Sequence, residues 1–231
     1  EGAWGITLRA LHFQRAAEAG FRTVRLPIRW SAHAAADPPY TVEPAFMDRV
    51  DWAIDQALAR DLNVIINVHH YEELAADPTG HAPRWVAIWR QVAQRNRDRP
   101  PNVLFELLNE PNGQLTAELW NGYLRDGIEA IRASNPTRNL VVGPGSWNNT
   151  DALDQLELPD DRHLIVTVHF YAPFTFTHQG AGWVSGSDAW LGTPWSGTES
   201  ERAYITGILE RAAQWGRDHG RPMFVGEFGA F

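Results

Sequence analysis

The sequence predicts an α/β barrel of parallel strands. Three observations carry that expectation. Short apolar segments alternate with helical patterns along the 231 residues, and a strand–helix repeat implies a parallel sheet. Polar residues gather at the C-terminal ends of several different strands, which is how a barrel presents a site. An open nucleotide-binding sheet would carry a Gly-rich turn after its first strand. The Gly clusters at Gly143–Gly145 and Gly226–Gly229 do not fit that pattern ahead of a helix.

A first helix is expected over Leu8–Ala19, where apolar residues recur at helical spacing until Gly20. The first strand follows at Thr23–Ile28 and carries Arg25. Pro44, a good first helical residue, opens a helix to Arg60. The strand Leu62–Val68 leads to His69 and His70, and the helix Arg84–Arg97 stops before Pro100. Asn102–Leu108 runs into Asn109 and Glu110. Thr116 caps a helix to Ser134, ended by Asn135–Pro136. Asn139–Gly143 and His163–His169 are the next strands, the second followed by Tyr171. Phe174–Gly197 is rich in Gly and Trp and reads as a functional loop. Thr198 with Glu201 makes a capping box for a helix that ends at Gly220. The last strand, Pro222–Gly226, is followed by Glu227. β-Branched content and few charges mark the strands as buried on both faces. With no low-complexity segment or linker, residues 1–231 read as a single catalytic domain.

Composition excludes several chemistries. A net charge of −8 argues against a nucleic-acid partner. Absent Cys removes thiol nucleophiles, disulfides and cysteine-type metal sites. All 20 basic residues are Arg, so Schiff-base chemistry and a P-loop lysine are excluded. The apolar runs fall short of the ~20 residues of a membrane span. Glu1–Gly5 lacks a basic-then-apolar leader but reads like the middle of a loop, so a leader can have preceded it. Secretion is the expected localisation and the cytoplasm the alternative. Trp is abundant, with 11 residues. A buried indole N–H needs a partner, so the surplus suggests flat binding surfaces.

The strongest chemical signal lies in two carboxylates. Glu110 follows an apolar strand in Leu-Leu-Asn-Glu-Pro, and Glu227 follows another in Phe-Val-Gly-Glu-Phe-Gly. A carboxylate at the end of a buried strand faces the mouth of a barrel, where burial and neighbours tune its pKa. Two facing carboxylates can share glycosidic cleavage, one as acid/base and one as ionised nucleophile. Either alone reads equally well as a salt-bridged or helix-capping Glu.

Five strings extend that signal. They are Val24-Arg25-Leu26-Pro27-Ile28-Arg29-Trp30, Asn67-Val68-His69-His70-Tyr71, Phe105-Glu106-Leu107-Leu108-Asn109-Glu110-Pro111, Val168-His169-Phe170-Tyr171 and Gly226-Glu227-Phe228-Gly229. In this order the chain resembles glycoside hydrolase family 5, a clan A family of (β/α)8 TIM barrels, and within it bacterial endo-β-1,4-glucanases. The resemblance implies retention of configuration, with Glu110 as acid/base and Glu227 as nucleophile. It also implies supporting roles for Arg25, His69, Asn109, His169 and Tyr171. Arg25 would hold the nucleophile ionised, or form a floor salt bridge with Glu106. Asn109 would donate to the sugar 2-hydroxyl. His69, His70 and His169 lack zinc-like spacing, and hydrogen bonding to sugar hydroxyls and the two Glu explains them better. No metal or cofactor is expected.

Sugar rings have apolar faces that stack on aromatic rings. Trp30, Tyr71, Trp147, Trp183, Trp190 and Trp195 lie in or near loops after strands, whereas Trp52, Trp85, Trp89, Trp120 and Trp215 sit in helical patterns and read as packing. His178 and Trp183 are expected on the leaving-group side of a β-linked chain. Relative to the family, the first strand, the polar cluster after it and the whole eighth strand–helix unit, with its Trp, have no counterpart. The expectation is therefore a barrel incomplete at both ends, unpaired between the Arg25 and Glu227 strands, and weak or inactive alone. The leading reading is a monomeric retaining endo-β-1,4-glucanase. The alternatives are a β-mannanase or mixed glucan/mannan hydrolase, and a truncated sugar-binding barrel without turnover.

Overall fold

The computed structural model describes residues 5–231; the reading of Glu1–Gly5 lies, up to Trp4, outside them. Six strands form: β1 (Thr23–Leu26), β2 (Asn63–Asn67), β3 (Val103–Glu106), β4 (Leu140–Val142), β5 (Leu164–Phe170) and β6 (Met223–Phe228). They pair in chain order and every pair is parallel. The longer helices are α1 (Ala10–Glu18), α2 (Pro44–Leu58), α4 (Pro78–Arg95), α5 (Ala117–Arg132) and α8 (Glu199–Asp218). Shorter ones are α3 (Glu72–Ala76), α6 (Gly145–Asn148) and α7 (Phe174–Thr177). The sheet curls with helices against it, as a part of a (β/α)8 barrel does. Among the described residues no ladder joins β1 to β6, as expected. No described helix is long and apolar enough to cross a membrane.

The expected caps form. Thr116 accepts the Leu119 N–H at 3.3 Å, and Thr198 and Glu201 complete their reciprocal box. The helix expected from Arg84 instead starts at Pro78. Proline costs nothing at the first helical position, and Asp77 caps the turn by accepting the Gly80 N–H at 3.0 Å. Pro83 lies inside it, and the buried Trp85, Ile88, Trp89 and Val92 hold the helix across it. Glu227 lies inside β6 and not after the last strand, because that strand runs on to Phe228.

Buried tryptophans link the core to the site. Trp30, Trp85, Trp89 and Trp120 are fully buried. The Trp30 indole N–H donates to the Asn67 carbonyl at 2.9 Å, and Trp120 donates to the Gly143 carbonyl at 2.8 Å. Trp85 and Trp89 both donate to the Leu107 carbonyl, at 3.1 and 2.8 Å. Asn67 ends β2, and Leu107 and Gly143 directly follow β3 and β4. Indoles thus satisfy strand-end carbonyls where the ladder stops, which answers the demand that a buried N–H find a partner. The Trp surplus is in good part internal bracing and less a binding surface than expected. Trp30 in particular is core and not groove.

Candidate active site

The site is built from the C-terminal ends of the strands, and Arg25 of β1 is its centre. Its Nε and Nη2 donate to Glu106 Oε2 and Oε1 at 2.6 and 2.7 Å. Nη2 also donates to Asn109 Oδ1 at 2.6 Å, and Nη1 to Glu227 Oε1 at 2.7 Å. One guanidinium therefore reaches three side chains and spans the unpaired edges of β1 and β6. Both readings of Arg25 hold together, since it pairs with Glu106 and with Glu227. Complete burial pushes the Glu106 carboxyl up, against the pull of Arg25.

Glu227 is aimed by a bulge. The β5–β6 register pairs Val168 with Val225 and then His169 with Glu227, which leaves Gly226 as the extra residue. A Cβ on Gly226 would lie 2.5 Å from Thr167 Oγ1, so only glycine fits there. The second Glu227 oxygen accepts the Tyr171 hydroxyl at 3.0 Å. Burial pushes the Glu227 carboxyl up, but His169, Arg25 and Tyr171 outweigh it and hold it below the usual value. The same neighbourhood, with burial first, keeps the Tyr171 hydroxyl protonated well above its ordinary range.

Glu110 sits in the loop after β3. That loop is fixed by the two indoles on Leu107 and by the Asn109 N–H, which donates to the Val68 carbonyl at 2.9 Å. His169 Nδ1 lies 2.7 Å from Glu110 Oε1 and 3.6 Å from Glu227 Oε2. This nitrogen and one oxygen of each carboxylate all fall within 4.8 Å of one another. Such a spacing also suits a cation. Here the atoms are already engaged, by His169 on Glu110 and by Arg25 and Tyr171 on Glu227.

Two cavities meet at Glu110 and Trp147. One, of about 610 Å³, is lined by His70, Tyr71, Glu72, Asn112 and Gln114; the other, of about 840 Å³, by Tyr171, His178, Trp183, Tyr204 and Arg211. Together they make a groove with Glu110 at its middle, and Glu227 lies beside it across His169. Trp147 and Trp183 are 57% and 68% exposed, so their faces are free to stack on a ligand. The His178 ring stacks on Phe174 with centroids 4.1 Å apart. His69 is largely buried beside His70 and Arg25; burial first, then those neighbours, lowers its pKa to about 3, so it is neutral. Trp190 packs edge-on against Phe174, and Trp195 lines a separate surface pocket, so neither enters the groove.

Trp147 belongs to a turn the sequence did not announce. Ser146, Trp147 and Asn148 all have left-handed backbones, with φ of 56°, 59° and 55°. Each costs an L-residue roughly 1–2 kcal/mol. The Trp147 N–H donates to the Pro111 carbonyl at 3.0 Å, which ties the turn to the Glu110 loop. Asn148 at its end is fully buried. Asn67, likewise fully buried beside His69, was also missed, although a polar residue inside an apolar run is a usable signal.

Residues 3–231 match the family model described as Cellulase (glycosyl hydrolase family 5). Endoglucanase H of Acetivibrio thermocellus is 35% identical over 228 residues, which cover 99% of this chain and 24% of that protein. Endoglucanase 1 of Ruminococcus albus is 30% identical over 230 residues, 92% of this chain and 53% of that protein. This chain thus spans about a quarter to a half of these relatives. The crystal structure of endoglucanase Cel5A from the hyperthermophilic Thermotoga maritima superposes with a TM-score of 0.98 at 44% identity, covering all of this chain and 75% of that one. That enzyme has been solved with mannotriose and with cellobiose.

Proposed function

Because this chain belongs to glycosyl hydrolase family 5, we propose that it carries the catalytic groups of a retaining endo-β-1,4-glucanase acting on cellulose or related β-glucans. One observation carries the reading. Glu110 and Glu227 present oxygens within 4.8 Å of each other. An inverting pair stands about 6.5–9.5 Å apart to admit a water, and a retaining pair about 5–5.5 Å apart. Glu227, ionised under Arg25 and Tyr171, attacks the anomeric carbon. Glu110 gives its proton to the departing glycosidic oxygen as that bond breaks. A covalent glycosyl-enzyme on Glu227 results. Glu110, now a carboxylate, takes a proton from water, which attacks the same carbon and releases Glu227. Asn109, held by Arg25, faces the 2-hydroxyl, and the exposed Trp147 and Trp183 stack sugar rings on either side.

A second reading, hydrolysis of mannan as well as glucan, draws support from the mannotriose complex of the Thermotoga relative. The two sugars differ at one hydroxyl, which Asn109 would meet. Sugar release from cellulose, glucomannan and mannan oligomers, with the anomer of the first product read by NMR, tests both. Release of the β-anomer from a β-glucan is the expected result. An initial α-anomer, or no release from any of the three by a chain extended at both ends to close the barrel, overturns the proposal.

A further inference from the structure

The double displacement leaves two buried side chains without a role. Asn67 and Asn148 have no exposed surface, and each lies against a site histidine. Each is also anchored by a backbone group, which has no choice between donating and accepting. Asn67 Oδ1 accepts the Ile28 N–H at 3.2 Å, so its Nδ2 is the atom 3.0 Å from His69 Nδ1. Asn148 Nδ2 donates to the Asn109 carbonyl at 2.5 Å, and the same NH₂ group lies 3.3 Å from His169 Nε2. An amide NH₂ can only donate. His69 Nδ1 and His169 Nε2 must therefore accept.

From this geometry we propose that Asn67 and Asn148 are positioning residues that lock the two site histidines in opposite tautomers, with the proton of His69 on Nε2 and that of His169 on Nδ1. The inference deepens the glucanase reading and rests on it for its purpose. With the proton on Nε2, His69 is a neutral donor toward a sugar hydroxyl. With the proton on Nδ1, His169 donates to Glu110 Oε1 at 2.7 Å and faces Glu227 Oε2 at 3.6 Å. The other tautomer would set a lone pair against both carboxylates.

The fold makes room for this arrangement at visible expense. Three consecutive left-handed residues deliver Asn148 to its place. A Cβ at Gly143 would come within 2.2 Å of Asn148 Oδ1, and that oxygen has no partner among the described residues. A Cβ on Gly226 would crowd His169 Nε2 at 3.2 Å. The charged and titratable groups around His169 are Glu106, Glu110, Glu227 and His69; those around His69 are His70, Arg25, Glu227 and His169.

Long-range ¹H–¹⁵N NMR of the imidazole nitrogens, on uniformly ¹⁵N-labelled protein near neutral pH, reads the tautomers directly. The expected wild-type spectrum shows a proton on Nε2 only for His69 and on Nδ1 only for His169. In Asn67→Asp the carboxylate keeps the Ile28 N–H and turns an acceptor toward His69 Nδ1, so a proton is expected there. Asn148→Asp gives up the bond to the Asn109 carbonyl, since a carboxylate has no N–H to donate, but it too sets an acceptor against His169 Nε2, so a proton is expected there. A substitution that mattered only for stability would move neither pattern. The same tautomer at both histidines in the wild type overturns the inference, as do unchanged patterns in both aspartate variants. If neither variant folds, the wild-type spectrum decides. None of these readings needs turnover. Opposite tautomers in a protein that cleaves no glucan would overturn the glucanase reading alone, and like tautomers in an active enzyme would overturn this inference alone.

Discussion

Replacing Arg25 by Lys keeps the charge but removes the planar fork. The guanidinium makes four N–H···O bonds, two to Glu106, one to Asn109 and one to Glu227. An ammonium has three donors on one atom and cannot span a fully buried carboxylate on β3 and a second one on β6. Hydrogen bonds to charged groups contribute about 1.5–3 kcal/mol each. Loss of the fork and one further contact should cost about 2–4 kcal/mol of stability, because Glu106 is left with a poorer partner in a dry site. If the Glu227 contact is the one lost, the same ~1.5–3 kcal/mol falls on the reacting carboxylate, roughly a 10–100-fold drop in kcat. Glu227 would also lose much of what holds it ionised, so the acidic limb of the kcat/KM profile should move to higher pH. Urea unfolding and initial rates on an aryl cellobioside across pH measure the three effects. A variant with wild-type kcat and an unmoved acidic limb would refute the claim that Arg25 conditions the nucleophile.

Other expectations follow from the same geometry. Glu227→Gln should abolish the glycosyl-enzyme, whereas Glu110→Gln should still give a burst with an activated aryl glycoside, which leaves without a proton; rapid-quench kinetics separates the two. Trp89→Phe removes one of two indole donors from Leu107 and opens a void, and should lower stability by about 2–3 kcal/mol in urea, with a slower rate because the Glu110 loop loosens. Gly143→Ala forces a Cβ to within 2.2 Å of Asn148 Oδ1 and should cost about 1–3 kcal/mol by the same measurement. The depressed Glu227 carboxyl contributes stability above its unfolded value of about 4.3, and that contribution is lost as pH falls through the lower folded value. Unfolding midpoints from pH 6 down to pH 3 should therefore fall more steeply in the wild type than in Glu227→Gln; parallel curves would remove Glu227 from the account.

Much of the frame was readable in the residues because it rests on local patterns. Val-Ile-Ile at 64–66 and Leu-Val-Val at 140–142 can only be buried strands, and Thr198 with Glu201 writes its own helix start. Glu110 and Glu227 stood out because a charge directly after such a run needs a reason. What stayed hidden depends on partners far along the chain. Gly226 looks like any glycine until Thr167 is placed beside it. Nothing in Gly-Ser-Trp-Asn announces a left-handed turn, since its support comes from Pro111 and Asn109. Trp30 seemed a groove residue because its partner, the Asn67 carbonyl, is 37 residues away. The helix expected from Arg84 starts earlier, at Pro78, because tertiary packing carries it across Pro83, which no local rule foresees.

The Arg25 hub also imposes an order on biosynthesis. Its contacts to Glu106 close a separation of 81 residues, and its contact to Glu227 closes 202. A ribosome adding about 5–20 residues per second takes roughly 6–24 s to pass from one carboxylate to the other. Through that interval the nascent chain can hold the first ion pair with an unspent N–H on the guanidinium, waiting for a strand that does not yet exist. Glu227 thus emerges and docks long after Glu106 has paired with the same guanidinium. On the proposed mechanism, hydrolysis cannot begin before β6 is made, however well the first five strands have folded.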